Sequence, residues 1–499
     1  MSSKESTRRR VAVIGGGIAG LAAAHRLVEL DPNCELTLFE AGPRLGGVVS
    51  TVHEDGFQVE QSADNFITTV PWGLNLCKRL GLGDQLIGTN PAYRRTFVVH
   101  RGRLHRLPDG FLMMAPTRLW PLAVTPLLSP LGKLRAGMEY FIPPRGDDAD
   151  ESMAHFVRRR LGREAFERLV EPLVSAVYAA DLEKLSVLAT LPRFREMERD
   201  FGSLIRAMRH QMRNRSCGAG VSPAQAAGTA APQRESGARY SMFVTLRDGL
   251  SSLVSTIASR LPPGAVRLNT AVTRIERCGE QWRVATEEEK EKRTCPPSPL
   301  SPLPSPLSFD ALILATPSPV SAALLQPLDA ALAADLASIE HSGTAILSLG
   351  YRTEEIGHPL DGMGAVVPAV ERSPILAVSF STRKYAHRAP QGKTLLRVFV
   401  GGARRPEVAA MNDDELTPLV LDELARLLQV RGQPCYRNLA RWPGTMPQYH
   451  VGHKELVARF ESRVAALPNF ALAGNAYHGV GLPDCIHGGE LAAERMIGA

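Results

Sequence analysis

The sequence predicts a mixed α/β fold in which one parallel-sheet domain is assembled from separate stretches of the chain. Three observations predict it. A strand–glycine loop–helix–strand unit opens the chain, and a strand followed by a glycine-rich loop and a helix closes it. The long middle joins a helical region to a second set of strands, as an inserted domain would. The 499 residues suffice for two or three domains, and 44 % hydrophobic with 22 % charged residues is an ordinary globular balance.

The elements follow in order. Residues 11–14 form a short apolar run, as expected of a buried parallel strand. Residues 18–30 are rich in Ala and Leu and read as a helix that stops near Pro32; residues 36–39 are the next strand, ending at Glu40. Residues 72–87 read as helix, and residues 96–107 as a hairpin turning at Gly102. From 116 to 213 the pattern is helical, with basic positions at Arg158, Arg159, Arg160, Arg193, Arg195 and Arg199. Residues 216–237, rich in Ala, Gly and Ser, read as a flexible insertion. Helix and strand signals resume at 241–261, and residues 266–285 alternate enough for two strands. A charge run at 287–293 leads into a proline-rich stretch, 296–307, expected as an extended surface loop. Pro317, Pro319 and Pro327 divide residues 311–328 into a strand and a short helix, which excludes a membrane span there. Residues 344–351, 375–381 and 395–400 are strands spaced like a mixed sheet. Residues 413–430 are a helix, 471–473 a strand, and a final helix starts at about Gly489.

Several function classes fall away. The net charge is +7, and no basic block is interleaved with aromatics, so nucleic-acid binding is not expected. Seven scattered cysteines with no C-x-x-C pair fit reduced thiols in a cytoplasmic protein. The polar residues 1–10 carry no signal or transit pattern. Residues 119–132 are apolar but short and broken by Pro121, Pro126 and Pro130; they fit either core packing or a shallow contact with a bilayer surface. His450 and His453 lack further ligands, so no metal site is expected. No serine sits in a G-x-S-x-G elbow.

The segment Gly15-Gly16-Gly17-Ile18-Ala19-Gly20 fits G-x-G-x-x-G in the required context, with a strand before it, a helix after it, and an acid at the end of the next strand. Gly15 supplies a tight turn, Gly17 lets a pyrophosphate approach the backbone, and Gly20 lets helix and strand pack closely. The helix N-terminus offers N–H groups and partial positive charge to phosphates. Glu40 can accept from a ribose hydroxyl, and its charge argues against a 2′-phosphate, hence against NADP. FAD and NAD remain.

Glu40-Ala41-Gly42-Pro43-Arg44-Leu45-Gly46-Gly47 is similar to the second signature of the monoamine-oxidase and phytoene-desaturase superfamily of FAD enzymes. Further stretches resemble the protoporphyrinogen oxidase family in particular. They are Leu472-Ala473-Gly474-Asn475 with Gly479-Val480-Gly481-Leu482-Pro483-Asp484-Cys485-Ile486; Glu171-Pro172 with Tyr178, Asp181 and Leu185-Ser186; Arg388-Ala389-Pro390 with Gly401-Gly402; and Trp442 with Met446-Pro447-Gln448-Tyr449. They run in order from residue 11 to about 497 and spare only the two insertions.

The resemblance implies a Rossmann-like FAD domain of the p-hydroxybenzoate-hydroxylase type, an inserted substrate domain and a helical membrane-associated domain. On this chain the FAD domain would take residues 1–90, 241–330 and 441–499, with a loop at 287–307; the substrate domain 91–115 and 331–440; the helical domain 116–213; and an insertion 214–240. The implied reaction is the six-electron oxidation of protoporphyrinogen IX to protoporphyrin IX with oxygen, in haem biosynthesis. Coproporphyrinogen III is the alternative substrate, with amines or carotenoids behind it; a flavin or porphyrin carrier without turnover is the reading from another class. Implied FAD contacts are the 15–20 loop, Glu40, Ala41, Arg44, Gly46 and Gly47, with Val272 on the adenine side and Trp442, Val480, Gly481 and Leu482 by the isoalloxazine. Ala176 would lie over the substrate and Arg95 would take a propionate. No side chain is designated an essential acid or base. The expected partners are the porphyrinogen and oxygen, with peripheral contact to the cytoplasmic membrane and a homodimer left open. The chain departs from the family pattern at Ser62-Ala63-Asp64-Asn65, where Gly-Pro-x-Ser is common, at Ala176 and Ala180 in place of Gly, and at His487-Gly488 in place of a basic residue and Ser.

Overall fold

The computed structural model describes residues 8–217, 241–287 and 307–498. Most of the insertion 214–240 and of the proline-rich loop 287–307 therefore lies outside the described residues, as do residues 1–7.

The opening unit forms as its sequence predicts. Strand β1 (Arg10–Ile14) leads through the glycine loop into helix α1 (Ile18–Leu30), and β2 (Glu35–Phe39) returns parallel to β1, Ile14 pairing with Phe39. The five-stranded sheet is parallel throughout, in the order 266–267, β2, β1, 311–314, 470–472. Three distant stretches of chain thus supply one sheet, and its strands are apolar because both faces are covered. Val11, Val13, Leu21 and Leu27 face one core cluster, and Ala12, Ile14, Leu312 and Trp282 another.

The second sheet has seven strands, in the order Tyr436–Pro447, His341–Arg352, Lys393–Gly401, Ile375–Phe380, Gly364–Val366, Thr96–His100, Arg103–Arg106. It is mixed, as its spacing predicts: Thr96–His100 runs parallel to Gly364–Val366 and the other pairs are antiparallel. One face packs against Asp413–Leu428 through Leu347, Leu349, Leu396, Val398 and Leu424. The opposite face, with Ser348, Arg397 and Phe399, looks toward the parallel-sheet domain. The hairpin turns at Arg101-Gly102, both at positive φ.

Residues 116–213 are helical, as expected. Their arginines are held within that layer. Fully buried Arg160 pairs with Glu139 and Glu198, Arg159 with Glu151 and Glu198, Arg195 with Glu198, and Arg199 with Asp200.

Four boundaries move. The helix expected over 72–87 is Trp72–Arg79; Gly81 at positive φ ends it, and Leu86–Gly88 pairs as a strand with Phe243–Leu246. Residues 266–286 hold three strands rather than two. The chain stays in the seven-stranded sheet to Pro447, beyond the 440 boundary. The last helix starts at Leu482, not Gly489, with Pro483 in its first turn. Gly489 lies inside that helix because a Cβ there would stand 2.1 Å from the Ala19 carbonyl oxygen of α1. The glycine marks a close helix–helix crossing, not a helix start.

Candidate flavin and substrate site

Parallel strands place their following loops on one edge. The turns after β1, 311–314 and 470–472 therefore converge. Gly15, at φ 106°, sits so close to the next turn that a Cβ would lie 2.6 Å from the Ala315 carbonyl oxygen. At Gly20 a Cβ would lie 1.9 Å from the Gly15 carbonyl oxygen. Around Gly17 the position of a Cβ is empty to 4 Å. Two glycines are thus required by packing, and the third faces open space where a phosphate can approach.

Glu40 organises the loop from below. Its Oε2 accepts from the Gly16 N–H and its Oε1 from the Gly42 N–H, each at 2.7 Å. A carboxylate has further lone pairs, so both oxygens can still accept from a ribose. Gly46 N–H donates to the Gly16 carbonyl at 2.8 Å, which lays the 44–47 loop against the first glycine turn. Arg44 donates to the carbonyls of Leu45, Val49 and Gly47, the last at 2.7 Å, and so fixes the loop's shape. Ala41 is exposed beside Glu40. Asn269 and Thr270 N–H groups donate to the Gly42 and Glu40 carbonyls, bringing the chain that leads to Val272 beside the Glu40–Gly42 turn. The structure therefore gathers Gly15, Gly16, Gly17, Ile18, Ala19, Gly20, Glu40, Ala41, Arg44, Gly46, Gly47 and Val272 around one edge.

A second helix end addresses the other part of the site. Neither N-cap residue, Gly17 for α1 and Gly481 for Leu482–Ile497, has a capping side chain. The first-turn N–H groups of α1 are left for a ligand, whereas at the second helix Pro483 has no N–H and the Asp484 carboxyl accepts from the Gly481 and Asp484 N–H groups. The helices cross at Ala19 and Gly489, and the seven residues from Leu482 to Gly489 correspond to about 10 Å of rise. The two ends are thus offset, as an elongated dinucleotide needs. The preceding segment is anchored from both sides: the Tyr449 hydroxyl donates to the Asn475 carbonyl at 2.5 Å, and Asn475 Nδ2 to the Thr445 carbonyl at 3.0 Å. Trp442 Nε1–H donates to the Gln61 carbonyl at 2.6 Å. Trp442 is in this way tied to the 60–66 segment. The empty space at Gly17, the open N-terminus of α1 and the acid below the turn fit FAD, which when bound accepts hydride equivalents and passes electrons to oxygen.

Beyond this edge the wall is apolar. Ala176, Val480, Phe399 and Leu173, all partly buried, pack on the same cluster at the helical layer. Tyr178 stands beside them; burial, with Asp484 nearby, pushes its phenol up to about 12. Burial raises Asp484 itself to about 6. Arg95 is not in this group. Its side chain is 48 % exposed at the start of the hairpin, where it shares Asp361 with Arg106. His487, at a position departing from the family pattern, stacks on Trp72 with centroids 4.0 Å apart.

The sequence reading missed the buried charges between the two sheets. Glu60 pairs with Arg388 at 3.4 Å, and Asp64 with Lys384 at 3.0 Å and Arg397 at 3.4 Å. Burial opposes ionisation of Asp64, but Lys384 and Arg397 outweigh it and hold the carboxyl below its usual range. Burial raises Glu60. The one available signal was Arg397 itself, a charge in the middle of the apolar strand Lys393–Gly401. His450 and His453, discounted as ligands, are engaged otherwise: His453 stacks on Tyr449 at 4.0 Å and His450 lies 3.9 Å from Glu340. Among the described residues, no group of three or more His, Cys, Asp or Glu could hold a metal ion, Cys34, Cys77, Cys278, Cys435 and Cys485 are free thiols, and no helix is long and apolar enough to cross a membrane.

This fold and edge define a flavin-dependent oxidoreductase, and residues 18–497 match the family model of flavin containing amine oxidoreductases, so the chain belongs to that family. Within it, the chain is similar to the coproporphyrinogen III oxidase of Bacillus subtilis, 33 % identical over 98 % of both chains. It is 29 % identical to the chloroplastic protoporphyrinogen oxidase of Nicotiana tabacum, over 97 % of this chain and 85 % of that one. A crystal structure from an Exiguobacterium species, described as a protoporphyrinogen oxidase, superposes with a TM-score of 0.82 at 30 % identity, over 100 % of this chain and 99 % of that one.

Proposed function

We propose that the chain is an FAD-dependent coproporphyrinogen III oxidase of haem biosynthesis. It would remove six electrons and six hydrogens from coproporphyrinogen III to give coproporphyrin III, reducing three molecules of oxygen to hydrogen peroxide. The observation that carries this reading is the end-to-end similarity to the Bacillus subtilis coproporphyrinogen III oxidase, which exceeds that to the tobacco protoporphyrinogen oxidase. It reverses the order in which the sequence alone ranked the two substrates. The contacts proposed for FAD are the 15–20 loop, Glu40, Ala41, Arg44, Gly46, Gly47, Val272, Trp442 and residues 480–482. Ala176, Val480 and Phe399 would hold the apolar macrocycle, and Arg95 would meet a propionate at the rim.

The aerobic test supplies each porphyrinogen to the purified holoprotein and follows growth of the Soret band. The reading expects faster product formation from coproporphyrinogen III. Product from neither substrate, despite bound FAD, would falsify it.

A second observation favours a contact with a bilayer surface. Leu122, Leu127 and Leu128 are buried in the helical layer, but Trp120, Leu131 and Phe141 are 76 %, 79 % and 77 % exposed. Residues 119–132 thus serve core and surface alike, and the exposed apolar side chains would enter the headgroup region. Flotation with anionic liposomes tests this; absence from the lipid fraction at low salt would sink it.

A further inference from the structure

Arg397 lies in a row that crosses the seven-stranded sheet. It pairs in register with Ser348 on one neighbouring strand and with Ser379 on the other, so the three side chains share the face turned toward the flavin edge. Phe399 stands two residues further along the same face, its ring centre 5.2 Å from the guanidinium. The cluster is therefore continuous with the apolar wall where the macrocycle is proposed to lie.

The polar groups of this row are not satisfied. Arg397 is 1 % exposed. Its Nη2 donates to the Ser62 carbonyl. Its Nε has no hydrogen-bond partner, its Nη1 meets Asp64 Oδ2 as an ion pair at 3.4 Å, and the hydroxyls of Ser62, Ser348 and Ser379 lack a hydrogen-bond partner. Buried donors are almost always paired, so a nest of them signals a missing acceptor. The charges agree: three cations, Lys384, Arg388 and Arg397, pair with two acids, Glu60 and Asp64. A guanidinium N–H makes a strong, charge-assisted bond to a carboxylate, and the Nε–H and the serine hydroxyls are donors of the kind one requires. The covering residues, Ser62 to Asp64, are those that depart from the family pattern.

We infer that Arg397, with Ser348 and Ser379, forms an inner carboxylate subsite that takes a propionate which coproporphyrinogen III carries and protoporphyrinogen IX lacks. The inference rests on the function proposed above and adds a specificity determinant to it. Protoporphyrinogen IX has two fewer carboxylates, so it would leave this subsite empty.

The test compares kcat/KM for coproporphyrinogen III and protoporphyrinogen IX in the wild type, Arg397→Gln, Arg397→Lys and Ser379→Ala holoproteins, each checked for bound FAD. A site built to hydrogen-bond a group discriminates strongly against its absence. Arg397→Gln is expected to lower the ratio of the two kcat/KM values by about tenfold or more, mainly through KM for coproporphyrinogen III; Arg397→Lys should restore part of it, and Ser379→Ala should lower it by about threefold. An unchanged ratio in folded Arg397→Gln overturns the inference. If that variant does not fold, an unchanged ratio in both Arg397→Lys and Ser379→Ala overturns it equally. Failure of the wild type to oxidise either porphyrinogen would instead overturn the underlying function.

Discussion

The flavin edge and the substrate wall recognise their ligands with different parts of the chain. At the edge, backbone N–H groups at the start of α1 are open to a ligand, and side chains such as Glu40 and Arg44 hold the loops in shape. At the wall, the proposed recognition falls to side chains: Ala176 and Phe399 for the apolar ring, Arg397 for charge. Backbone recognition depends on Gly15 and Gly20, whose Cβ positions are filled by neighbours, and on Gly17, whose Cβ would enter the ligand's space. Side-chain recognition can be retuned one residue at a time. That difference lets one cofactor edge serve many substrates within a family.

The largest effect should come from adding a side chain to the edge. Gly20→Val drives a Cβ into the Gly15 carbonyl, and the expected cost is about 3 kcal/mol or more of stability with loss of bound FAD. Gly17→Ala is the informative contrast. Its Cβ meets nothing within 4 Å, so the apoprotein should melt as the wild type does while FAD binding weakens. Equal loss of apoprotein stability in both variants would contradict the backbone-recognition view. Calorimetry and flavin fluorescence read the two quantities.

Next comes the support of the C-terminal glycine segment. Burial lowers His453 to about 4, and its Nε2 lies 3.4 Å from the Tyr477 carbonyl oxygen. A folded-state pKa below the unfolded value means stability that is present above about 6.5 and lost as pH falls toward 4. The shift corresponds to roughly 3 kcal/mol. Denaturant unfolding of wild type and His453→Gln across that window should show the stability gap closing by about this amount on acidification. Parallel profiles would remove His453 as the cause.

Arg44→Ala removes three bonds to loop carbonyls but no packing, so FAD affinity should fall by about tenfold with little change in melting temperature. Smallest is Arg95→Ala. An exposed guanidinium already paired with Asp361 should shift KM for a porphyrinogen by less than about threefold. A larger shift in kcat/KM would move propionate recognition from the inner wall to the rim.

The edge was legible in the sequence because backbone recognition has local rules. A strand, G-x-G-x-x-G, a helix and an acid twenty residues beyond Gly20 specify one another through short-range geometry. The apolar strands and most helices were legible for the same reason. Gly488-Gly489 misled because a helix interior seldom contains glycines, and only the crossing with α1 explains them. The wall was mostly illegible. Glu60, Asp64, Lys384, Arg388 and Arg397 come from three separated stretches, and only the completed fold brings them together. Likewise Arg160 and Arg195 read only as basic positions, and their buried glutamates appear with the fold.

The central claim is that this edge holds FAD able to oxidise coproporphyrinogen III, and an anaerobic titration of the holoprotein tests it most directly. Each FAD takes two electrons and the substrate yields six. The account predicts that oxidised-flavin absorption bleaches with one porphyrinogen consumed per three flavins, while coproporphyrin fluorescence rises in step. Flavin that stays oxidised in the presence of excess coproporphyrinogen III would contradict it.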